Sequence, residues 1–266
     1  REERRRDPVA GMRGYGTHHQ PAGTWSDDTS LTLCTMESLL RGFNPTDMMK
    51  TFTRWCDSAY LTAGDVRFDI GHTTHRAILC YQRSNNPRTC GQCGEMDAGN
   101  GSLMRILPMA YYLDARYDAP FTKNAEAMRQ LGDVCALAHA HMRCIIACGM
   151  YCAIAQNLLR GDPITRAVDA GLIQAGAHYS AVNRNWLSEV AQLFPSSAAA
   201  LSSLAEEQII SSGYVVDSLF AALWCLCKTD SYAACVLTAV NLGGDTDTVA
   251  AIAGGLAGIA YGLDAI

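Results

Sequence analysis

Charge is scarce and scattered in this sequence: 18% of residues are Asp, Glu, Lys or Arg, and the formal net charge is -5. There is no acidic tail, and the one dense basic cluster, Arg1 to Arg6, is short and interrupted by Glu2 and Glu3. A surface that neutralises phosphates needs a longer basic stripe, so no nucleic-acid partner is expected. Alternating Val, Ile and Thr runs are few, which argues against strands. The longest apolar stretches, Cys144 to Ala155 and Val249 to Leu263, fall short of the ~20 residues that cross a bilayer, so no membrane association is expected. Arg1 to Asp7 lead into no apolar segment of the secretory kind. With no low-complexity linker and no fixed-period repeat, residues 1–266 read as one domain. The expectation is a cytoplasmic monomer acting on a protein or small-molecule partner.

What is present is material for a core, since 49% of the 266 residues are hydrophobic. Twelve cysteines do not read as a disulfide framework in a chain of this size. Cys144, Cys148 and Cys152 recur at helical spacing among Ile, Ala and Met, where free cysteine behaves as a small hydrophobe. Cys90 and Cys93 make a C-x-x-C, but no second pair completes a tetrahedral zinc site. Helical punctuation runs almost throughout, predicting an all-α fold. Asn44 and Pro45 read as a cap and a first helical residue, opening a helix toward Tyr60. Further helices are expected over Asn124–Leu137, His141–Arg160 (stopped by Gly161), Pro163–Ala177, Trp186–Phe194, Tyr214–Cys227, Tyr232–Val240 and Val249–Gly262, the last in the middle of the bundle. The span from Gly64 to Asn100, rich in Gly, Asn, Asp and Pro, is where functional loops are expected.

Two acid-hydroxyl clusters stand just before apolar helical segments at opposite ends of the chain, Ser26-Asp27-Asp28-Thr29 and Asp245-Thr246-Asp247-Thr248. Hard divalent cations take such oxygen ligands in near-octahedral array. Either cluster alone is equally well read as a helix N-cap. The two together, and Gly243-Gly244 before the second, favour a site where backbone approaches closely. Asp245-x-Asp247 also resembles the nucleophile loop of haloacid-dehalogenase phosphatases, but that loop ends a hydrophobic strand and precedes a whole α/β domain, and neither holds here. An EF-hand lacks its twelve-position loop. The run Gly99-Asn100-Gly101-Ser102 offers backbone N–H groups for a phosphate, a weak signal alone. His139 and His141, two apart, cannot share a helix face, so at most one faces a site. Asp69 taken singly is a carboxylate in a solvated turn.

Taken together and in order, Gly23-Thr-Trp-Ser-Asp-Asp-Thr29, Asp69-Ile-Gly-His-Thr-Thr74, Gly99-Asn-Gly-Ser-Leu-Met-Arg105, Ala138-His139-Ala140-His141, Ser212-Gly-Tyr-Val-Val-Asp217 and Gly243-Gly-Asp-Thr-Asp-Thr248 resemble the ADP-ribosylglycohydrolase family. The likeness is to its bacterial branch, that of the dinitrogenase-reductase-activating glycohydrolases. It implies an orthogonal multi-helix bundle with two divalent cations, Mg²⁺ or Mn²⁺, in a cleft. It assigns Ser26, Asp27 and Asp28 to one set of metal ligands and Asp245, Asp247 and Thr248 to the other. Asn100, Gly101, Ser102 and Met104 would line an ADP-ribose pocket, with His139 and Tyr214 beside the ribose or adenine. Asp69 would be an acid-base residue, and Asp28 and Asp247 catalytic carboxylates. Ser26 stands where the family usually has Thr, and Ala138 replaces a common Thr. Family members usually begin with a helix carrying Gly-Asp-Ala and then a Glu at the metals; this chain starts just after it, so that helix is expected to be lacking.

The implied reaction is hydrolysis of the glycosidic bond between ADP-ribose and a modified acceptor, ADP-ribosylarginine on protein or a small ADP-ribosyl conjugate. The alternative is a catalytically impaired relative that binds ADP-ribose or serves structurally, as the family's lens crystallins do. Retention of every acidic ligand visible here argues against it, since clustered carboxylates without a cation repel one another.

Overall fold

The computed structural model describes residues 2–182 and 191–266. Twelve α-helices are present among them: α1 (Glu2–Arg6), α2 (Asp27–Leu40), α3 (Pro45–Ser58), α4 (His72–Ser84), α5 (Leu107–Asp114), α6 (Ala125–Ala136), α7 (Met142–Leu159), α8 (Ile164–Val182), α9 (Ala198–Ser203), α10 (Val215–Lys228), α11 (Tyr232–Asn241) and α12 (Thr246–Tyr261). Among the described residues extended pairing is confined to two isolated bridges, Gln92 with His139 and Gly99 with Tyr214, so the fold is all-α.

Local chemistry sets several helix ends where the punctuation puts them. Asn44 Oδ1 accepts from Thr46 N and Asp47 N, starting α3 on Pro45. Asn124 caps α6 by accepting from Ala127 N, and Gly161, at φ 87°, follows α7. α8 runs to Val182, beyond the predicted Ala177. The predicted helix from Trp186 lies for its first residues outside the described ones, and Ala191–Leu193 is a short 3₁₀ turn. The span from Gly64 to Asn100 differs from a purely looped reading: α4 occupies its middle, its apolar face burying Ala77, Ile78 and Tyr81.

The centre of the bundle is α7 rather than α12. α7 buries residues on every side, Cys144, Cys148 and Cys152 among them, and packs against α5, α6, α8, α10 and α12. An 18-residue helix apolar all round is what a core position requires. α12 packs on α10 and α11 and reaches α7 through the Tyr151 hydroxyl, which donates to Ile252 O at 3.0 Å. Its small residues Ala250, Ala251, Gly254 and Gly255 line a cleft, so only part of its surface is enclosed. The packing of α12 on α2 brings the N-terminal ends of these two helices together.

Candidate active site

Both acid-hydroxyl clusters sit in first helical turns. Asp27 and Asp28 open α2, while Asp247 and Thr248 lie in the first turn of α12 after Asp245. The helices begin inside the clusters because carboxylates suit the positive end of the helix dipole. The capping alternative does not hold, however: neither Ser26 nor Asp245, at the N-cap positions, makes a side-chain capping bond. Ser26 Oγ donates instead to Asp28 Oδ2 at 2.7 Å. Asp245 Oδ2 accepts from Asn100 Nδ2 at 2.7 Å. Gly244 makes the approach possible, for at φ 75° a Cβ there would stand 1.9 Å from Ser211 O, whose carbonyl accepts from Asp245 N.

Five carboxylates converge. Asp27, Asp69 and Asp245 line a cavity of about 240 Å³ together with Asn100, Gly101, Met104, His139 and Thr248. Asp28 and Asp247 line an adjoining cleft with Ser26, His18 and Phe68. Burial, then the charges of Asp28, Asp69 and Asp247, push Asp27 up to about 9. Burial, then Asp247, push Asp28 up to about 7 against the opposing Ser26 hydroxyl. Burial likewise raises Asp245 and Asp247. No Lys or Arg among the described residues forms an ion pair with any of these four. Asp28 Oδ1 and Asp247 Oδ2 are buried with no hydrogen-bond partner. Buried carboxylates without cationic neighbours repel, and the unpartnered oxygens are hard donors, so the set fits divalent cations.

The facing wall is built by the Gly99–Arg105 run. Asn100 N donates to Gly213 O at 3.0 Å, and its side-chain amide also donates to Ser218 Oγ at 2.9 Å. Gly101 admits no side chain, because a Cβ would lie 2.8 Å from His139 Cε1 and 3.0 Å from Thr74 Oγ1. Met104 lines the cavity, but Ser102 is turned the other way: it is fully buried, and its Oγ accepts from the Cys135 thiol. The backbone after Ser102 is fixed by Arg105, fully buried beside the Phe52 ring and donating to Val134 O.

Of the two histidines, His139 faces the cavity and His141 caps α7 by accepting from Arg143 N. Burial, then Arg105, push His139 down to about 3, so its imidazole is neutral and serves as a hydrogen-bonding group. Tyr214 does not reach the lining; Gly213 before it does, and the Tyr214 ring lies near Arg143. The Ser212 hydroxyl donates to Asp217 and accepts from Tyr214 N, which shapes this turn.

Sequence reasoning did not single out Thr74, Gly213 or His18 as site residues. Thr74, buried in the first turn of α4, lies in the Asp69–Thr74 run, where its hydroxyl carries less signal than the Asp69 carboxylate. His18 Nε2 lies 3.2 Å from Asp69 Oδ2, a contact between two loops that no spacing announces.

The ADP-ribosylglycohydrolase family profile matches residues 1–266. The chain is 27% identical over 261 residues to the ADP-ribosylarginine hydrolase Tri1 of Serratia proteamaculans (strain 568), covering 97% of this chain and 65% of that protein. It is 28% identical over 265 residues to the Tri1 of Pseudomonas putida (strain GB-1), again spanning 65% of it. The ADP-ribosyl-[dinitrogen reductase] glycohydrolase of Rhodospirillum rubrum is 27% identical over 257 residues, 96% of this chain and 75% of that one. The chain thus spans about two thirds of the length of the Tri1 relatives. A solved structure described as an ADP-ribosylglycohydrolase-related protein complex superposes with a TM-score of 0.72 at 29% identity, covering 98% of this chain and 79% of that one. With the profile matching from end to end, this chain belongs to the ADP-ribosylglycohydrolase family.

Proposed function

We propose that the chain hydrolyses the glycosidic bond between ADP-ribose and an acceptor, with ADP-ribosylarginine on protein as substrate and Mg²⁺ or Mn²⁺ as cofactor. The observation that carries this reading is the convergence of five carboxylates where a cavity also lined by Asn100, Gly101 and His139 adjoins a second cleft. The relatives named as ADP-ribosylarginine hydrolases support the choice of acceptor. Ser26, Asp27 and Asp28 would hold one cation and Asp245, Asp247 and Thr248 a second. Bound there, the cations would orient the ribose hydroxyls and acidify a water for attack on the anomeric carbon.

The chain's own residues supply the rest. Breaking the anomeric bond builds oxocarbenium character, which nearby carboxylates stabilise. Asn100 holds Asp245 in place while its backbone is pinned to Gly213. Asp69, more exposed than the other four carboxylates, moves the proton between the water and the leaving guanidine. Neutral His139 and the bare backbone at Gly101 receive the ADP-ribose. Incubating the protein and Mn²⁺ with ADP-ribosylarginine protein should release free ADP-ribose, and Asp245→Ala should lower that release by at least ~100-fold. Unchanged release by the variant rejects the site; ADP-ribose binding without turnover by the wild type would favour the binding-only alternative.

A further inference from the structure

Resting on the glycohydrolase reading, we propose that His18 is a positioning residue for Asp69, orienting the carboxylate that moves the proton. Asp69 is poorly anchored by its own surroundings. It follows an exposed loop, stands at φ 55° in the left-handed region, and its carboxylate is 37% exposed. Its nearest acidic neighbour is Asp247, whose carboxylate it touches. Among the described residues the side chain placed to orient it is His18, with Nε2 3.2 Å from Asp69 Oδ2.

The imidazole is itself held for this contact. Its ring lies against Phe68, centroids 5.5 Å apart, so the residue preceding Asp69 in the chain fixes the partner of Asp69. The loop that carries His18 closes on itself through Tyr15 N to Gln20 O at 2.6 Å and His19 N to Gly16 O at 3.0 Å. Beyond it, Trp25 Nε1 donates to Leu61 O, tying this segment to the loop that leads to Asp69. Asp69 lines the cavity, whereas His18 lines the adjoining cleft with Asp28 and Asp247. The arrangement is that of an orienting partner held 3.2 Å from an acid-base carboxylate.

The experiment is a double-mutant cycle on the full chain with Mn²⁺ and ADP-ribosylarginine protein, comparing wild type, His18→Ala, Asp69→Ala and the double variant. His18→Ala should lower kcat by ~10–100-fold with KM within about twofold, and His18→Gln, which keeps an N–H donor, should recover most of it. The double variant should be no slower than Asp69→Ala. Nitrogen NMR of the metal-free chain gives a readout apart from turnover: the His18 ring resonances should move in Asp69→Ala. Additive losses, a change confined to KM, or His18 resonances indifferent to Asp69→Ala would each overturn the proposal. If Mn²⁺ affinity falls in His18→Ala, His18 is a ligand and the positioning role is also wrong. Failure of the wild type to release any ADP-ribose would reject the glycohydrolase reading itself, whereas release with an additive cycle rejects His18 alone.

Discussion

Asn100 donates through one amide nitrogen to both Ser218 Oγ and Asp245 Oδ2, so its loss frees a carboxylate of the cluster and leaves a buried hydroxyl short of a partner. Asn100→Ala should cost ~10–100-fold in kcat, and Asn100→Asp more, because it sets a like charge against Asp245. Steady-state assays across the two variants check the order. At Gly101 the expected effect is on binding: Gly101→Val would press on His139 and Thr74, and calorimetry should show ADP-ribose affinity at least ~10-fold weaker, about 1.4 kcal/mol. At this scale the acidic members of the site were readable because each cluster is contiguous, and two hydroxyl-acid runs at helix starts exceed what capping needs. Which way a side chain turns was not readable. Asn100 and Ser102 are both buried two positions apart in one 3₁₀ turn, yet one reaches the cavity and the other the thiols of the core. His18 was invisible for a different reason, since its partner is set by how two irregular loops meet.

Helix caps were the most legible elements, as Asn44 and Asn124 show, because a cap depends only on its own next three residues. Less legible was which helix lies innermost. The Ala and Gly content of α12 suggests close packing on all sides, but small residues permit approach without requiring it, and one flank lines a cleft. α4 was hidden by the turn-forming residues at both its ends, and its His72–Ser84 core has too few apolar positions to stand out from composition. The junction of α7 with α12 lends itself to a stability test. Tyr151 is buried and its hydroxyl donates to Ile252 O, so Tyr151→Phe removes one interhelical hydrogen bond while keeping the ring. A loss of about 1 kcal/mol is expected, seen as a fall in Tm of roughly 2–4 °C. A thermal melt unchanged within error would mean the bond holds α12 in place less than its burial suggests.

For the molecule as a whole, the raised carboxylates make stability depend on pH. Asp27 and Asp28 have ordinary values of 3.8 but folded values of about 9 and about 7. Between about pH 4 and those values the folded chain holds protons that the unfolded chain has released, so stability falls as pH rises across that window. Metal-free protein in EDTA should therefore melt at a higher temperature at pH 5 than at pH 8. Mn²⁺ should raise Tm more at pH 8 than at pH 5, with protons released on binding. A Tm that does not respond to pH in EDTA would show that the cluster is not burdened as its burial indicates.

The meeting of α2 and α12 gives the molecule a clasp. Asp27 and Asp28 are translated before nine intervening α-helices among the described residues, and Asp245 and Asp247 only after them. A polypeptide synthesised as far as Asn241 possesses three of the five carboxylates and lacks the two that α12 brings to them. Activity should thus arrive in one step during biosynthesis, with no weakly active precursor, and a cation seated between the two halves would resist their parting afterwards.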